Sequence, residues 1–337
     1  VDEGVGVHWF KFEKSHLDRD QVLGVGAALL STVFLGWAPI FGKLAYGTGM
    51  MPLTVVAVRT LLAAGLLWLF YLLFWRRHIP VTRYELAGCV AVGLVNGIGS
   101  LFYYTALSRI DASLVSLINT SYPLWVVMFL AASGQPLSRF TAISLLLAGF
   151  GVVLLTQAQG ATADALGIML MLVSATTYGW HLVLGQWVVA DTAPRAVALY
   201  VLSTMAVVVG VARLLQSTPL EPITLAGWGA VTGLGGVTAL SRLFMFLGLG
   251  LLGGIQTALL GLSELFVTLL VAFVLLGERL TLWQWLGGGL LIAAGLLARH
   301  DSRADFTSEE WMAALEEEAE RAQQTLAESV EPAEPGT

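Results

Sequence analysis

A carboxylate, Glu264, stands in the middle of "GLSELFVTLL", residues 261–270, an otherwise apolar stretch. A charge at the centre of a bilayer costs about 2.5–3.5 kcal/mol on insertion scales, so such a group has to be used or paired. On a 3.6-residue helix Glu264 shares a face with Thr257, Gly261 and Thr268, a polar or small stripe that suits a cavity or a close helix neighbour better than lipid. Two readings stand side by side. The first is a proton site that loads and unloads during a cycle; the second is a structural ion pair with Arg242 or Arg59, the two arginines inside apolar runs. Arg242 has Thr238 one turn before it and Met245 after it, and its guanidinium can neutralise Glu264 or grip a substrate carboxylate with two hydrogen bonds. Arg59 lies near the end of its run, where a long side chain snorkels to the headgroups.

The neutral polar residues follow the same logic. His181 shares one face with Ser174 and Tyr178 at spacing i, i+4, i+7, and its imidazole either relays a proton, bonds a polar substrate, or serves as a hydrogen-bonded packing residue. Asn96, Ser100 and Tyr103 form one polar stripe, and Ser116, Asn119 and Pro123 form another. Polar faces of lipid-embedded helices point inward, to a cavity or to helix–helix hydrogen bonds worth about 0.6 kcal/mol each. Trp37 and Trp180 are candidate aromatic walls, or bulky packing partners. Gly93-x-x-x-Gly97 and Gly229-x-x-x-Gly233 read as close-contact motifs between helices.

Other chemistries lack their residues. The single cysteine, Cys89, lies in an apolar run, so neither a disulfide framework nor a cysteine metal site is expected. No Gly-rich loop leads into Lys-Ser or Lys-Thr, which argues against nucleotide-driven work. A membrane enzyme acting on lipids or isoprenoids would need clustered acids, metal ligands or a nucleophile with its base inside the spans; one Glu, one His and no Asp there do not supply them. No catalytic residue, cofactor, metal or nucleic-acid partner is assigned. The partners expected are a small-molecule substrate and the bilayer, with a monomer or homodimer as the expected unit.

The elements that hold these residues are read from hydropathy. The chain has 337 residues, 57% hydrophobic and 12% charged, with mean hydropathy +0.79. Runs of 18 or more apolar residues are long enough to cross a hydrocarbon core of about 30 Å as helices. They do not alternate as barrel strands do, so helices are the remaining solution. The predicted spans are 22–45, 53–75, 85–107, 111–132, 139–157, 165–189, 196–216, 224–247, 253–275 and 282–299. The fold class expected is all-α: a polytopic membrane protein of ten transmembrane helices. Residues 1–21 carry no apolar core of a cleavable signal, so insertion is expected to rely on the first span.

Charge orients the spans. With the N-terminus cytoplasmic, the inside collects Lys11, Lys14, Arg19, Arg76, Arg77, Arg83, Arg139, Arg195, Arg299 and Arg303, against Lys43, Arg109, Arg213 and Arg279 outside. Both termini are therefore expected in the cytoplasm. The net charge of −6 is set by residues 301–337, where eleven acids face two arginines for −9, while the rest of the chain is +3. The stretch from Ser308 reads as a capped, solvated helix with Trp311, Leu315 and Ala319 along one side.

The chain also repeats. "LLSTVFLGW" at 29–37 aligns with "LVSATTYGW" at 172–180, pairing Ser31 with Ser174, Gly36 with Gly179 and Trp37 with Trp180 at an offset of 143. Five spans per half is an odd number, so the halves must lie in the membrane with opposite orientations. Inverted repeats of this kind belong to alternating-access transporters, with the substrate site at midplane between the halves.

These features resemble the EamA-type drug/metabolite transporter superfamily: "RTLLAAGLL" from Arg59, "YYTALSRIDASLVSLINTSYPLW" joining spans three and four, and "GIQTALLGLSELFVTLLVAFVLLGERLT" in span nine. The resemblance covers residues 22–299, as two five-helix repeats, 22–157 and 165–299, flanked by tails 1–21 and 300–337. It implies export or exchange of small metabolites, amino-acid-like or amphipathic, neutral or zwitterionic, across a plasma (inner) membrane. Proton-coupled alternating access and facilitative uniport both remain open. Where members often have Glu-Pro in span nine, this chain has Glu264-Leu265, while the first-half counterpart Tyr122-Pro123 keeps its proline. A helix break is thus expected in the first half alone. The substrate contacts implied are Trp37, Asn96, Tyr103, Asn119, Tyr122, Trp180, His181 and Arg242, with Glu264 and Arg242 as the proton-coupling or ion-pair group.

Overall fold

The computed structural model describes residues 19–133, 143, 146–151, 153–154, 164–216 and 221–298. Regular structure among them is helical throughout: α1 Arg19–Gly36, α2 Ala38–Gly47, α3 Pro52–Phe74, α4 Arg83–Arg109, α5 Ala112–Asn119 and α6 Tyr122–Ala132 in the first half. The second half holds α7 Ala165–Asp191, α8 Pro194–Leu215, α9 Leu225–Leu252, α10 Gly254–Gly261, α11 Glu264–Val271 and α12 Leu282–Ala298. Helix starts follow local chemistry. Thr82 and Glu85 exchange side-chain bonds as a capping box on α4, Asp164 and Thr224 accept from Gly167 N and Gly227 N, and prolines open α3 and α8. The amide of Gly167 and the guanidinium of Arg109 hold the Asp164 carboxyl below its usual range.

Eight stretches among the described residues are long and apolar enough to span a membrane, each matching a predicted span, and Leu282–Ala294 adds a shorter apolar helix. The fifth predicted span, 139–157, falls largely outside the described residues, although 146–151 are helical. Residues 1–18 of the N-terminal tail and the C-terminal tail, with the acidic stretch from Ser308, also lie outside them, while residues 19–21 open α1. The protein is a polytopic, all-α membrane protein.

Two faces emerge from the turns. At the face where α1 begins, Gly24 packs on Leu252, Arg195 reaches His78 at 3.2 Å, and Gly254 N donates to Gln186 at 3.0 Å. At the opposite face, Met51 N donates to Glu221 at 2.8 Å, Arg109 pairs with Asp164 at 2.8 Å, and Glu278 accepts from Ala112 N and Ser113 N at 3.1 and 2.8 Å. Glu278, the acid of "LGERLT", thus caps the N-terminus of α5 from the other half of the chain. Helix α1 starts at the first face and its counterpart α7 at the second, so the halves run in opposite senses.

Atomic contacts repeat along with the sequence. Ser31 Oγ donates to the Ser241 carbonyl at 2.9 Å, and Ser174 Oγ donates to the Gly99 carbonyl at 3.1 Å. Gly36 faces Val267 and the Glu264 carbonyl; Gly179 faces Trp125 and the Tyr122 carbonyl. A Cβ on either glycine would sit 2.7 Å from its neighbour's Cβ, so both crossings need a residue without a side chain. Of the predicted contact motifs, Gly93, Gly97 and Gly233 meet Thr204, Val208 and Phe41, whereas Gly229 has nothing within 4 Å and sets no helix approach.

Helix breaks depart from expectation in two places. The first span is split at Trp37, just before Pro39. Span nine is also broken, at Leu262–Ser263, although Leu265 replaces the proline. Its amides shift to three-residue bonds, Leu262 N to Leu259 O and Ser263 N to Leu260 O, and the Ser263 hydroxyl also donates to Leu260 O. The Ala258 carbonyl left over accepts the Tyr122 hydroxyl at 2.9 Å. Tyr122 passes so close to Gly261 that a Cβ there would collide with its hydroxyl. A partner from the opposite half, rather than a proline, holds the second break open.

Candidate functional site

The breaks end partway along their spans, beside a cavity lined from both halves. The first half contributes Arg59 from α3, Asn96, Ser100, Tyr103 and Tyr104 from α4, and Asn119 from the end of α5. The second contributes Ser174, Thr177 and Tyr178 from α7, Thr238 and Arg242 from α9, and Glu264 from the start of α11. Glu264 stands here because it is the first residue after the break in span nine. A smaller cavity, walled by Ala28, Thr257 and Met245 among others, lies toward the face where α1 begins. Glu264, Tyr178 and Leu35 line both cavities.

Three ionisable side chains face the larger space, all nearly buried: Arg59 at 4%, Arg242 at 7% and Glu264 at 5% exposure. Glu264 is not ion-paired; the salt bridges among the described residues join Arg109 to Asp164 and Arg213 to Glu221. Arg242 instead donates through Nη2 to Asn96 Oδ1 at 3.3 Å and through Nη1 to Met245 Sδ at 3.4 Å, with its Cζ 5.5 Å from the centre of the Tyr178 ring. Arg59 donates to Thr238 Oγ1 at 3.1 Å and lies 4.3 Å over the Tyr104 ring. The Nε of each arginine is buried without a hydrogen-bond partner.

Behind Arg242 runs a chain that fixes the state of His181. Its Nδ1 meets the Val92 carbonyl at 3.4 Å, an acceptor, so Nδ1 carries the proton. Asn96 has turned Oδ1 to the donor Arg242, which leaves its Nδ2–H for His181 Nε2 at 3.4 Å. Nε2 must therefore accept, and the ring is neutral. His181 itself is fully buried and holds Asn96 without lining the cavity.

Of the residues assigned from sequence, Asn96, Tyr103, Asn119, Arg242 and Glu264 meet on the large cavity, and Tyr122 lines the small one with its ring at 4.9 Å from Tyr178. Trp37 and Trp180 stand apart from it. Gly36 and Gly179 take the inward positions, so the residue that follows each turns about 100° away. Trp37 packs on Phe41 at 5.7 Å and Trp180 on Phe129 at 4.8 Å. Arg59 does not snorkel; α3 turns it inward against Thr238 of α9. Tyr104, Tyr178 and Thr238 were not assigned to the site, although Ser174–Tyr178 and Thr238–Arg242 carried the one-turn spacing that marks a shared face.

The EamA-like transporter family matches residues 22–157 and again residues 165–299. An uncharacterized transporter of Bacillus subtilis (strain 168), YcbK, is 26% identical over 288 residues, covering 80% of this chain and 91% of its own. A protein of known crystal structure shares the fold with a TM-score of 0.59 at 19% identity, over 82% of this chain and 99% of its own.

Proposed function

Because the chain belongs to the EamA-like transporter family, we propose that this membrane transporter exports or exchanges small metabolites across a plasma membrane through the central cavity, by alternating access. The observation that carries the reading is the position of the cavity. It lies between two inversely oriented halves, each of which contributes polar side chains at the point where broken helices end. Rocking one half against the other would open it to either face. Glu264 lines both cavities and is unpaired, which supports a role as the group that exchanges a proton for substrate. The charged groups around it are Arg242 and Arg59, with the hydroxyls of Tyr103, Tyr122 and Tyr178.

Metabolites released by cells with and without the protein would identify candidate cargo. Flux of that cargo into liposomes holding purified protein, at several internal and external pH values, then tests the coupling. Glu264→Gln keeps shape and removes charge, so pH dependence should vanish while exchange persists. Identical pH profiles in both proteins would leave Glu264 as architecture and the protein as a facilitative uniporter. Absence of flux for every released metabolite would end the transport reading.

A further inference from the structure

We infer that the central cavity selects an organic anion, with a carboxylate held between Arg59 and Arg242 and its body among Tyr103, Tyr104 and Tyr178. The inference rests on the cavity being the substrate site and narrows the neutral, zwitterionic or amphipathic candidates to one charge class. Its first ground is charge balance. Among the described residues the walls carry two guanidiniums and one carboxylate, and His181 behind them is neutral. The excess is one positive charge with Glu264 ionised and two with Glu264 protonated. In either state a neutral or zwitterionic ligand leaves a buried guanidinium uncompensated, which a low-dielectric site penalises strongly.

The second ground is hydrogen bonding. The guanidiniums are anchored to neutral partners alone, Arg59 to Thr238 and Arg242 to Asn96 and the Met245 sulfur, and each lies beside a tyrosine ring. A guanidinium packed against a ring directs its N–H bonds sideways, and in both arginines Nε is buried without an acceptor. A carboxylate supplies the acceptors that the protein withholds.

The third ground is symmetry. The contacts that build the scaffold occur twice, yet the register that pairs Ser241 with Gly99 sets Arg242 opposite Ser100, Arg59 opposite Val201 and Glu264 opposite Tyr122. The charges are therefore not demanded by the repeated architecture.

Three probes of similar bulk and different charge test this on the purified full chain: 3-phenylpropanoate, phenylalanine and phenethylamine, with dissociation constants measured by ligand-induced thermal stabilisation at pH 7. 3-Phenylpropanoate should bind at least about tenfold more tightly than phenylalanine, and phenethylamine most weakly. Arg242→Gln and Arg59→Gln should each weaken 3-phenylpropanoate by at least about tenfold. Glu264→Gln, which removes the one negative charge of the walls, should tighten 3-phenylpropanoate and weaken phenylalanine, widening the gap between them. Equal or tighter binding of the zwitterion or the amine, no binding of any probe, or loss of 3-phenylpropanoate binding in Glu264→Gln overturns the inference. Binding in this order without flux in liposomes counts against the transport reading alone. Flux that prefers the zwitterion counts against the anion assignment alone.

Discussion

At the residue scale, the pair Tyr122 and Gly261 shows how a side chain in one half sets the backbone of the other. The Tyr122 hydroxyl occupies the Ala258 carbonyl that the break in span nine frees, and Gly261 is the one neighbour that leaves room for it. Tyr122→Phe should cost about 1 kcal/mol of stability, the usual net worth of a buried hydrogen bond. Gly261→Ala should cost more, about 2–3 kcal/mol, because it displaces the hydroxyl and strands the carbonyl. The double variant should fall short of the sum, since the first change removes the atom that the second collides with. Thermal melts of the four proteins in detergent check this, and strict additivity would mean that the two residues act independently.

At the element scale, the crossings of α1 over α11 and of α7 over α6 are one piece of architecture used twice. Gly36 and Gly179 meet their neighbours at equal distance, so Gly36→Val and Gly179→Val should destabilise by similar amounts, about 1–3 kcal/mol each through overpacking. Gly26→Val on the exposed side of α1, with nothing within 4 Å, should leave melting unchanged. A large difference between the first two would show that the halves do not share the load. Broken helices follow the same economy. α5–α6 and α10–α11 both end at the cavity, one opened by Pro123 and the other by Tyr122 from across the interface.

At the scale of the whole molecule, charge distribution sets the orientation we propose. The face where α1 begins carries Arg19, Arg76, Arg77, Arg83 and Arg195 among the described residues, whereas the other holds Lys43, Arg109, Arg213 and Arg279. Arg109 and Arg213 are each within ion-pair distance of an acid, Asp164 and Glu221. The first face should therefore be cytoplasmic, with both termini on that side. Reporters fused after Thr337 should be active only inside, and one fused in the turn after Gly47 only outside. The reverse pattern would invert the direction of transport assigned to the cavity without changing its chemistry.

The sequence by itself determined the membrane class, nine of the span positions seen here and the inverted repeat, because hydropathy, length and an odd number of spans per half are properties of the chain that no packing can alter. It also marked Asn96, Tyr103, Asn119, Arg242 and Glu264, polar residues whose presence in lipid-length helices demands an inward face. Rotation and contact were not legible there. That α3 turns Arg59 inward, that Gly36 and Gly179 swing Trp37 and Trp180 away from the cavity, and that His181 serves Asn96 are settled only when helices from the two halves pack together. The tertiary structure likewise decided that span nine breaks without a proline and that Glu264 and Arg242 stand unpaired on one cavity. Each of these depends on an atom supplied from across the interface, which periodicity within a single helix does not encode.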